Sequence, residues 1–203
     1  MPELPEVEVV KRSLEKKILK LIIKDVKIND GNLRYKVDKA AILNLKGKKI
    51  IKITRRSKFL IFELEDEFFM LVHLGMTGKF FFADQYKKKF KTSFYYNINN
   101  IKDEKHDRII FIFHKNQRLI YNDVRKFGFI KFIKRANVDT NSHLKPLGPE
   151  PLSTKFNLEY FKNYIIGKER TIKDLLMDQK FISGLGNIYV NEILFFSGIR
   201  PAK

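Results

Sequence analysis

The first six residues carry the groups best suited to covalent chemistry. The chain opens Met1-Pro2-Glu3-Leu4-Pro5-Glu6, and trimming of the methionine before the small residue Pro2 would leave a terminal secondary amine. An α-amino group has a pKa of about 7.7–8.0, against about 10.4 for lysine, so a useful fraction is unprotonated at neutral pH. Such an amine can attack a sugar carbon and form an iminium, while Glu3 or Glu6 could relay a proton to the ring oxygen. Proteins that use neither residue also begin Met-Pro, so the spacing alone leaves catalysis open.

The charge of the chain indicates a polyanionic partner. Its 203 residues include 41 Lys and Arg against 23 Asp and Glu, a net charge of +18. Nucleic acid is the commonest partner for such an excess. The alternative is a biased genome that inflates lysine without function. A hydrophobic content of 44% excludes a wholly disordered chain.

Several classes of protein are excluded by composition. No apolar run approaches the ~20 residues that span a bilayer, and the opening lacks the basic-then-apolar pattern of a secretory signal. The absence of cysteine excludes disulfides, a cysteine nucleophile and a cysteine-type zinc site within the chain. We therefore expect a cytoplasmic, nucleoid-associated protein.

The elements that must position these groups are a leading helix and many short strands. Apolar residues from Val7 to Leu21 recur at spacings of three and four, which predicts a helix over 5–22. Farther along, short β-branched or aromatic runs alternate with turn-like clusters, a pattern typical of an antiparallel sandwich or barrel. The runs are 50–53, 59–64, 68–72, 79–82, 94–96, 109–113, 118–121 and 127–133.

A helical pattern returns after a polar, proline-rich segment. Asn157 precedes an apolar stripe as a candidate cap, and Thr171 with Asp174 resembles a capping box. A third helix is expected over 188–197, closed by Gly198. The predicted divisions are a catalytic domain over 1–134, a linker over 135–150 and a partial helical domain over 151–203.

Ordered sequence blocks carry a resemblance to a known family. The blocks are Pro2-Glu3-Leu4-Pro5-Glu6-Val7-Glu8, Arg55-Arg56-Ser57-Lys58-Phe59-Leu60, His73-Leu74-Gly75-Met76-Thr77-Gly78, Lys105-His106-Asp107, Asp123-Val124-Arg125-Lys126-Phe127-Gly128, Leu147-Gly148-Pro149-Glu150-Pro151-Leu152, Ile172-Lys173, Leu176-Met177-Asp178-Gln179-Lys180 and Gly184-Leu185-Gly186-Asn187-Ile188-Tyr189-Val190-Asn191-Glu192. They resemble the formamidopyrimidine-DNA glycosylases across essentially the whole chain. The sister group, endonuclease VIII, usually has glycine where Leu4 stands. The resemblance implies an α+β fold: an N-terminal two-sheet antiparallel β-sandwich with a leading helix, then a partial helix-two-turns-helix domain.

The resemblance implies a bifunctional base-excision enzyme, a glycosylase and abasic-site lyase acting on oxidised purines (formamidopyrimidines and 8-oxoguanine) in damaged double-stranded DNA. Pro2 matches the nucleophile that attacks C1′ and forms a covalent imine. Glu3 matches the acid that protonates the opening deoxyribose. Lys58 matches the lysine that contacts phosphate and assists β-elimination. From the residues alone, Lys58 could equally be an ordinary lysine at a strand edge.

Further positions match residues that hold DNA in the family. Met76, Arg125 and Phe127 match three side chains inserted into the base stack, where Met adapts, Phe wedges and Arg donates to the orphaned base. The phosphate- or DNA-contacting positions are His73, His106, Arg125, Lys173 and Asn187. Asn187 also follows a glycine-rich turn into a helix, a place that attracts phosphate. Ordinary roles stay open for these types: a turn residue, a core Phe, a surface His or an N-cap.

The sequence departs from the family pattern at its end. Family chains are normally some tens of residues longer and hold a single structural zinc in a C-terminal four-cysteine finger, whereas this sequence has no cysteine. We therefore expect a C-terminally truncated member, monomeric and without a cofactor in this chain; δ-elimination and 8-oxoguanine selectivity stay open. Two alternatives remain: a damaged-DNA-binding protein with little or no turnover, and a basic RNA-associated protein of unrelated fold.

Overall fold

Two antiparallel sheets form the larger part of the chain. The computed structural model describes residues 1–83, 89–91 and 104–202. Its strands are β1 (Ile23–Ile28), β2 (Ile50–Arg56), β3 (Phe59–Leu64), β4 (Phe68–His73), β5 (Lys79–Ala83), β6 (Lys89–Lys91), β7 (Asp107–Phe113), β8 (Arg118–Asn122) and β9 (Phe129–Lys134). The strand orders are β1-β7-β8-β5-β6 and β2-β3-β4-β9. The predicted antiparallel sandwich is confirmed, and the run at 94–96 lies outside the described residues.

The leading helix α1 (Leu4–Ile18) closes one end of the sandwich core. Its stripe of Val7, Val10, Leu14 and Ile18 is buried because spacings of three and four place these side chains on one face. The predicted end at 22 was wrong. Lys20 adopts a φ of 66° and its N–H donates to the Ile50 carbonyl, which turns the chain out of the helix and along the edge of β2.

Three elements were missed by sequence reasoning, one of them the three-residue strand β6. A β-bulge after Ile23 disrupts the alternation of β1, so its buried residues do not recur at every second position. The helix α2 (Lys39–Leu43) has five residues, too few for a helical period to show. Asp38 caps it by accepting a hydrogen bond from the Ala41 N–H at 3.0 Å.

The sandwich core is filled by aromatic side chains from both sheets. Phe62 of β3 and Phe80 of β5 meet edge to face with ring centroids 6.0 Å apart, and both are fully buried.

The strand predicted over 127–133 begins only at Phe129. Phe127 therefore lies in the connecting loop, where 43% of its surface is exposed.

A helical unit follows the polar segment and has its own small core. It contains α3 (Leu158–Ile165), α4 (Ile172–Met177) and α5 (Asn187–Phe196) around the buried Phe181. The predicted caps are confirmed, since the side chains of Asn157 and Thr171 accept from the third backbone N–H beyond them. The capping box is incomplete, because the Asp174 carboxylate accepts from the Thr171 hydroxyl and not from its backbone N–H. Gly198 ends α5 with a φ of 64°. Among the described residues, no helix is long and apolar enough to cross a membrane. The predicted boundaries of the two domains and the linker stay a prediction.

Candidate functional site

The first residues of the chain are anchored on the N-terminus of α5. The Glu3 carboxylate is 2% exposed and accepts hydrogen bonds from the backbone N–H groups of Gly186 (2.7 Å), Ile188 (2.9 Å) and Tyr189 (3.3 Å). Unpaired N–H groups and the helix dipole both favour an anion here. A Cβ at residue 186 would lie 2.5 Å from the Glu3 carboxyl carbon, so only glycine leaves room for the contact.

Glu6 forms the second part of this arrangement. One of its carboxylate oxygens accepts from the Glu3 N–H at 2.9 Å, and the other accepts from the Tyr189 hydroxyl at 3.2 Å. Burial and then the nearby Glu6 raise the pKa of Tyr189, so the phenol stays a donor at neutral pH. Pro2 is buried immediately before Glu3, while Met1 is 44% exposed. Loss of Met1 would therefore make Pro2 the terminal residue, next in the chain to the anchored Glu3.

Lys58 reaches the same helix terminus from the turn between β2 and β3. Its side chain is 6% exposed, and its ammonium donates to the Leu185 carbonyl at 2.6 Å. Burial lowers the pKa of Lys58, and the opposing effect of Glu3 and Glu6 is smaller. The Leu185 carbonyl also accepts from the Gln179 amide at 2.8 Å. The predicted Glu3 and Lys58 thus converge on one turn, 184–186, and Pro2 is the residue before Glu3 in the chain.

An ionic clamp fixes the β2–β3 turn against the helical unit. Arg55 makes a bidentate pair with Glu150, both bonds being 2.9 Å, and its Nε donates to Glu8 at 2.8 Å. Burial opposes ionisation of Glu8, but hydrogen bonds from Arg55 and Arg12 lower its pKa to about 2. Arg56 donates to the Gly148 carbonyl at 2.7 Å and to the Ser183 hydroxyl at 3.0 Å. The clamp holds the segment that carries Lys58.

Met76, Arg125 and Phe127 occupy two loops that are tied together. The buried Asp123 carboxylate accepts from the Thr77 hydroxyl in the first loop and from the Gly128 N–H in the second. The Thr77 hydroxyl oxygen in turn accepts from the Arg125 N–H at 3.0 Å. These bonds bring together the three residues predicted to insert into the base stack.

Side chains pack together within the second loop, and the two loop backbones approach each other closely. The Arg125 guanidinium carbon lies 4.6 Å from the Phe127 ring centroid, and Met76 is 41% exposed. A Cβ on Gly75 would come within 2.4 Å of the Phe127 carbonyl carbon. Met76, Arg125 and Phe127 form the surface that we call the wedge. Its shape depends on a close approach between the two loop backbones.

His73 interacts with the first loop through Gly75 and with the charge of Lys58. Its Nδ1 accepts from the Gly75 N–H at 3.1 Å, which assigns the ring proton to Nε2, and its ring stacks on Phe129 with centroids 5.5 Å apart. Burial lowers the pKa of His73 to about 4, and the positive charges of Lys58 and Arg34 add to the effect. At neutral pH His73 is therefore an uncharged hydrogen-bond donor.

The remaining predicted residues occupy separate positions. His106 contacts the Arg108 guanidinium at 3.0 Å, and Arg108 also donates to the Asp123 carbonyl. Asn187 is the exposed first residue of α5; its predicted alternative role as an N-cap was wrong, because Gly186 is the N-cap. Lys173 lies in the first turn of α4.

Sequence reasoning gave no role to Asp123, Thr77, Arg55 and Glu150. All four lie inside the sequence blocks that carry the family resemblance, so their presence there was the available signal. Which carboxylate meets which donor depends on the tertiary fold.

The sandwich thus anchors its N-terminal acid on a helix of a second, helical unit, where a buried lysine also bonds, and the comparisons with known proteins identify this arrangement as that of base-excision repair DNA glycosylases. The family model for the formamidopyrimidine-DNA glycosylase N-terminal domain matches residues 1–130, and that for the H2TH domain of the same enzymes matches residues 147–203. The chain belongs to the formamidopyrimidine-DNA glycosylase family.

Curated relatives and solved structures agree with this assignment. The formamidopyrimidine-DNA glycosylase of Rickettsia felis is 38% identical over 203 residues, 100% of this chain and 68% of the relative. That of Rhodopseudomonas palustris is 36% identical, over 100% of this chain and 69% of the relative. Lactococcus lactis Fpg in complex with abasic-site DNA is 36% identical, with a TM-score of 0.84, over 99% of this chain and 70% of that one. The same enzyme in complex with N7-benzyl-Fapy-dG DNA is also 36% identical and has a TM-score of 0.84, over 100% of this chain and 70% of that one.

The zinc that the resemblance associates with the family does not fit the residues described. The chain has no cysteine, and within 1–83, 89–91 and 104–202 no group of three His, Asp or Glu is placed to hold a metal.

Proposed function

We propose that this chain removes oxidised purines from duplex DNA and then cuts the abasic site by β-elimination, with Pro2 as the nucleophile. The observation that carries the proposal is the convergence of Glu3 and Lys58 on turn 184–186, directly beside residue 2. Two further findings support it: the family assignment, and the solved structures of Lactococcus lactis Fpg bound to abasic-site DNA and to N7-benzyl-Fapy-dG DNA.

The proposed reaction starts once Met1 has been removed. The Pro2 nitrogen attacks C1′, the bond from C1′ to the base breaks, and the base leaves with the electron pair and takes up a proton. The attacking Pro2 nitrogen gives its proton to the Glu3 carboxylate, or to Glu6 as a relay, and this proton passes to the ring oxygen as the sugar ring opens to an iminium. Loss of a C2′ proton expels the 3′ phosphate, and water releases Pro2. Lys58, held by the Leu185 carbonyl, supplies a fixed positive charge near the departing phosphate.

DNA binding in this proposal combines charge with insertion. The net charge of +18 supplies general affinity for the phosphate backbone. Met76 and Phe127, both more than 40% exposed, would fill the space left by an extruded nucleotide, with Arg125 donating to the orphaned base. Asn187, His106 and Lys173 would contact backbone phosphates.

Borohydride trapping tests the nucleophile. Protein lacking Met1, as verified by mass spectrometry, is mixed with duplex DNA containing an abasic site and sodium borohydride. We expect a stable protein–DNA adduct whose linkage maps to residue 2. The Pro2→Gly variant should show strongly reduced trapping and cleavage, whereas the control Pro5→Ala, an exposed position in α1, should react like the parent.

The outcomes separate the proposal from its alternatives. Binding of abasic DNA without any adduct would identify a damage-binding protein with no turnover. Equal affinity for structured RNA and undamaged duplex would favour the RNA-associated alternative. Full cleavage by Pro2→Gly would remove Pro2 as the nucleophile.

A further inference from the structure

A positively charged surface lies beside His73 and takes no part in the site described above. It consists of Arg34 and Tyr35 from the loop after β1, Lys131 from β9, and His143 from the segment after β9. Phe129 connects this surface to the site, since its ring contacts both His73 (5.5 Å between centroids) and His143 (4.8 Å).

Lys131 is held in place by neutral partners. Its ammonium lies 2.8 Å from His143 Nε2 and 3.9 Å from the centroid of the Tyr35 ring. The imidazole nitrogen must accept this bond, because a lysine ammonium has no lone pair. The cation–π contact and the hydrogen bond together remove much of the freedom of a lysine side chain. In the described part of the chain, neither Lys131 nor Arg34 pairs with a carboxylate.

We infer that Lys131, held by Tyr35 and His143 and accompanied by Arg34, binds a DNA backbone phosphate next to the one assigned to His73. The inference rests on the proposed function. An immobilised cation that no carboxylate neutralises is prepared for an anion, and little side-chain entropy remains to be lost on binding. The Arg34 N–H donates to the Gly128 carbonyl at 3.1 Å, one residue after Phe127, so the surface continues directly from the wedge.

The charges in this region support the inference. Burial lowers the pKa of His143, and Lys131 and Arg34 lower it further. His73 is affected in the same direction by Lys58, Arg34 and His143. Each named neighbour is a basic group, so a bound phosphate would relieve mutual repulsion.

Salt-dependent binding tests this site. The parent, Lys131→Gln and the control Lys134→Gln are compared on a duplex with a tetrahydrofuran abasic analogue between 50 and 200 mM salt. Lys134 lies on the same strand but on the opposite face, and it is exposed. Lys131→Gln should lower the slope of log affinity against log salt by about 0.9. Its affinity should fall about tenfold, as for one charge-assisted hydrogen bond, whereas Lys134→Gln should leave both quantities unchanged.

A second variant tests whether the fixed position of the Lys131 ammonium matters apart from its charge. His143→Phe keeps a ring against Phe129 but removes the acceptor for Lys131. We expect weaker binding with the slope of the parent, because the charge remains while its position is lost. Equal slopes for Lys131→Gln and Lys134→Gln, in a parent that binds and cleaves lesion DNA, would overturn the phosphate site alone. A parent that shows no preference for the abasic duplex would instead overturn the proposed function.

Discussion

The Lys58 ammonium donates to the Leu185 carbonyl at 2.6 Å, across the junction between the β-sandwich and the helical unit. The two residues are 127 positions apart in the chain, and both belong to the site around Glu3. Because Gln179 also donates to the same carbonyl, Lys58 is not needed to satisfy it. Burying an ammonium is costly, which agrees with the role in the reaction proposed above for Lys58.

Replacing Lys58 by methionine should separate activity from stability. Methionine keeps the buried stem and removes a charge that is costly to bury, so the melting temperature should stay the same or rise. Cleavage of abasic DNA should fall by about 100-fold or more, the scale of one electrostatic or acid–base contribution. Thermal melting and single-turnover cleavage measure the two effects. A large fall in melting temperature would show that Lys58 is structural.

Gly186→Ala should displace the Glu3 carboxylate. The added Cβ would lie 2.5 Å from the carboxyl carbon, and the Gly186 N–H is one of the three donors to Glu3. We expect lower borohydride trapping because Glu3 and the adjoining Pro2 move together. Gly31→Ala is the control, since its Cβ would meet only ordinary contacts at 3.6 Å. Equal trapping by both variants would argue against a precise position for Glu3.

The sequence predicts those elements whose signal is local. The stripe in α1 and the caps at Asn157 and Thr171 depend on residues three or four positions apart, and the structure confirms them. β1 escaped prediction because its bulge breaks the alternation, and the end of α1 was misplaced because Lys20 bonds to β2 rather than within the helix. Local patterns carry no information about such tertiary contacts.

The candidate site was predictable as a set of residues but not as a geometry. The family resemblance supplied Glu3 and Lys58, yet no pattern showed that both would meet turn 184–186. Likewise, Glu150 belongs to a recognised block, but the sequence does not identify Arg55 as its partner. Contacts between residues about 100 positions apart depend on how the helical unit packs on the sandwich.

Glu150→Gln should weaken the junction between the sandwich and the helical unit. Arg55 would lose its bidentate carboxylate while its side chain remains only 12% exposed. We expect the free energy of unfolding to fall by about 2 kcal/mol, the scale of a hydrogen bond to a charged group, because Glu8 still balances the charge of Arg55. Glu63→Gln, which affects an exposed pair with Arg135 at 3.7 Å, should cost less than about 1 kcal/mol. Urea denaturation compares the variants, and equal midpoints would contradict the clamp.

Thr77→Val should loosen the wedge without changing general affinity for DNA. Valine has the shape of threonine but neither donates to Asp123 nor accepts from the Arg125 N–H. The preference for abasic over undamaged duplex should therefore fall, while the salt slope stays that of the parent because no charge has changed. Competition binding measures this preference, with Thr140→Val in an exposed loop as the control. A preference equal to that of the parent would show that the hydroxyl does not hold the loops together.

His73 should make stability and binding depend on pH in a defined direction. Its folded pKa of about 4 lies below the ordinary value of 6.5, so the unfolded chain binds more protons between these values. The contribution of neutral His73 is complete above about pH 6.5 and is lost as the pH falls toward 4. The His73→Gln variant should therefore lose less stability than the parent over this range, whereas His114→Gln, at an exposed histidine, should follow the parent.

Because His73 is an uncharged donor, His73→Gln should also weaken DNA binding at pH 7 without lowering the salt slope, in contrast to Lys131→Gln. Urea denaturation across the pH range and salt titration of binding measure these effects, and a lowered slope for His73→Gln would mean that the imidazole is charged when DNA is bound.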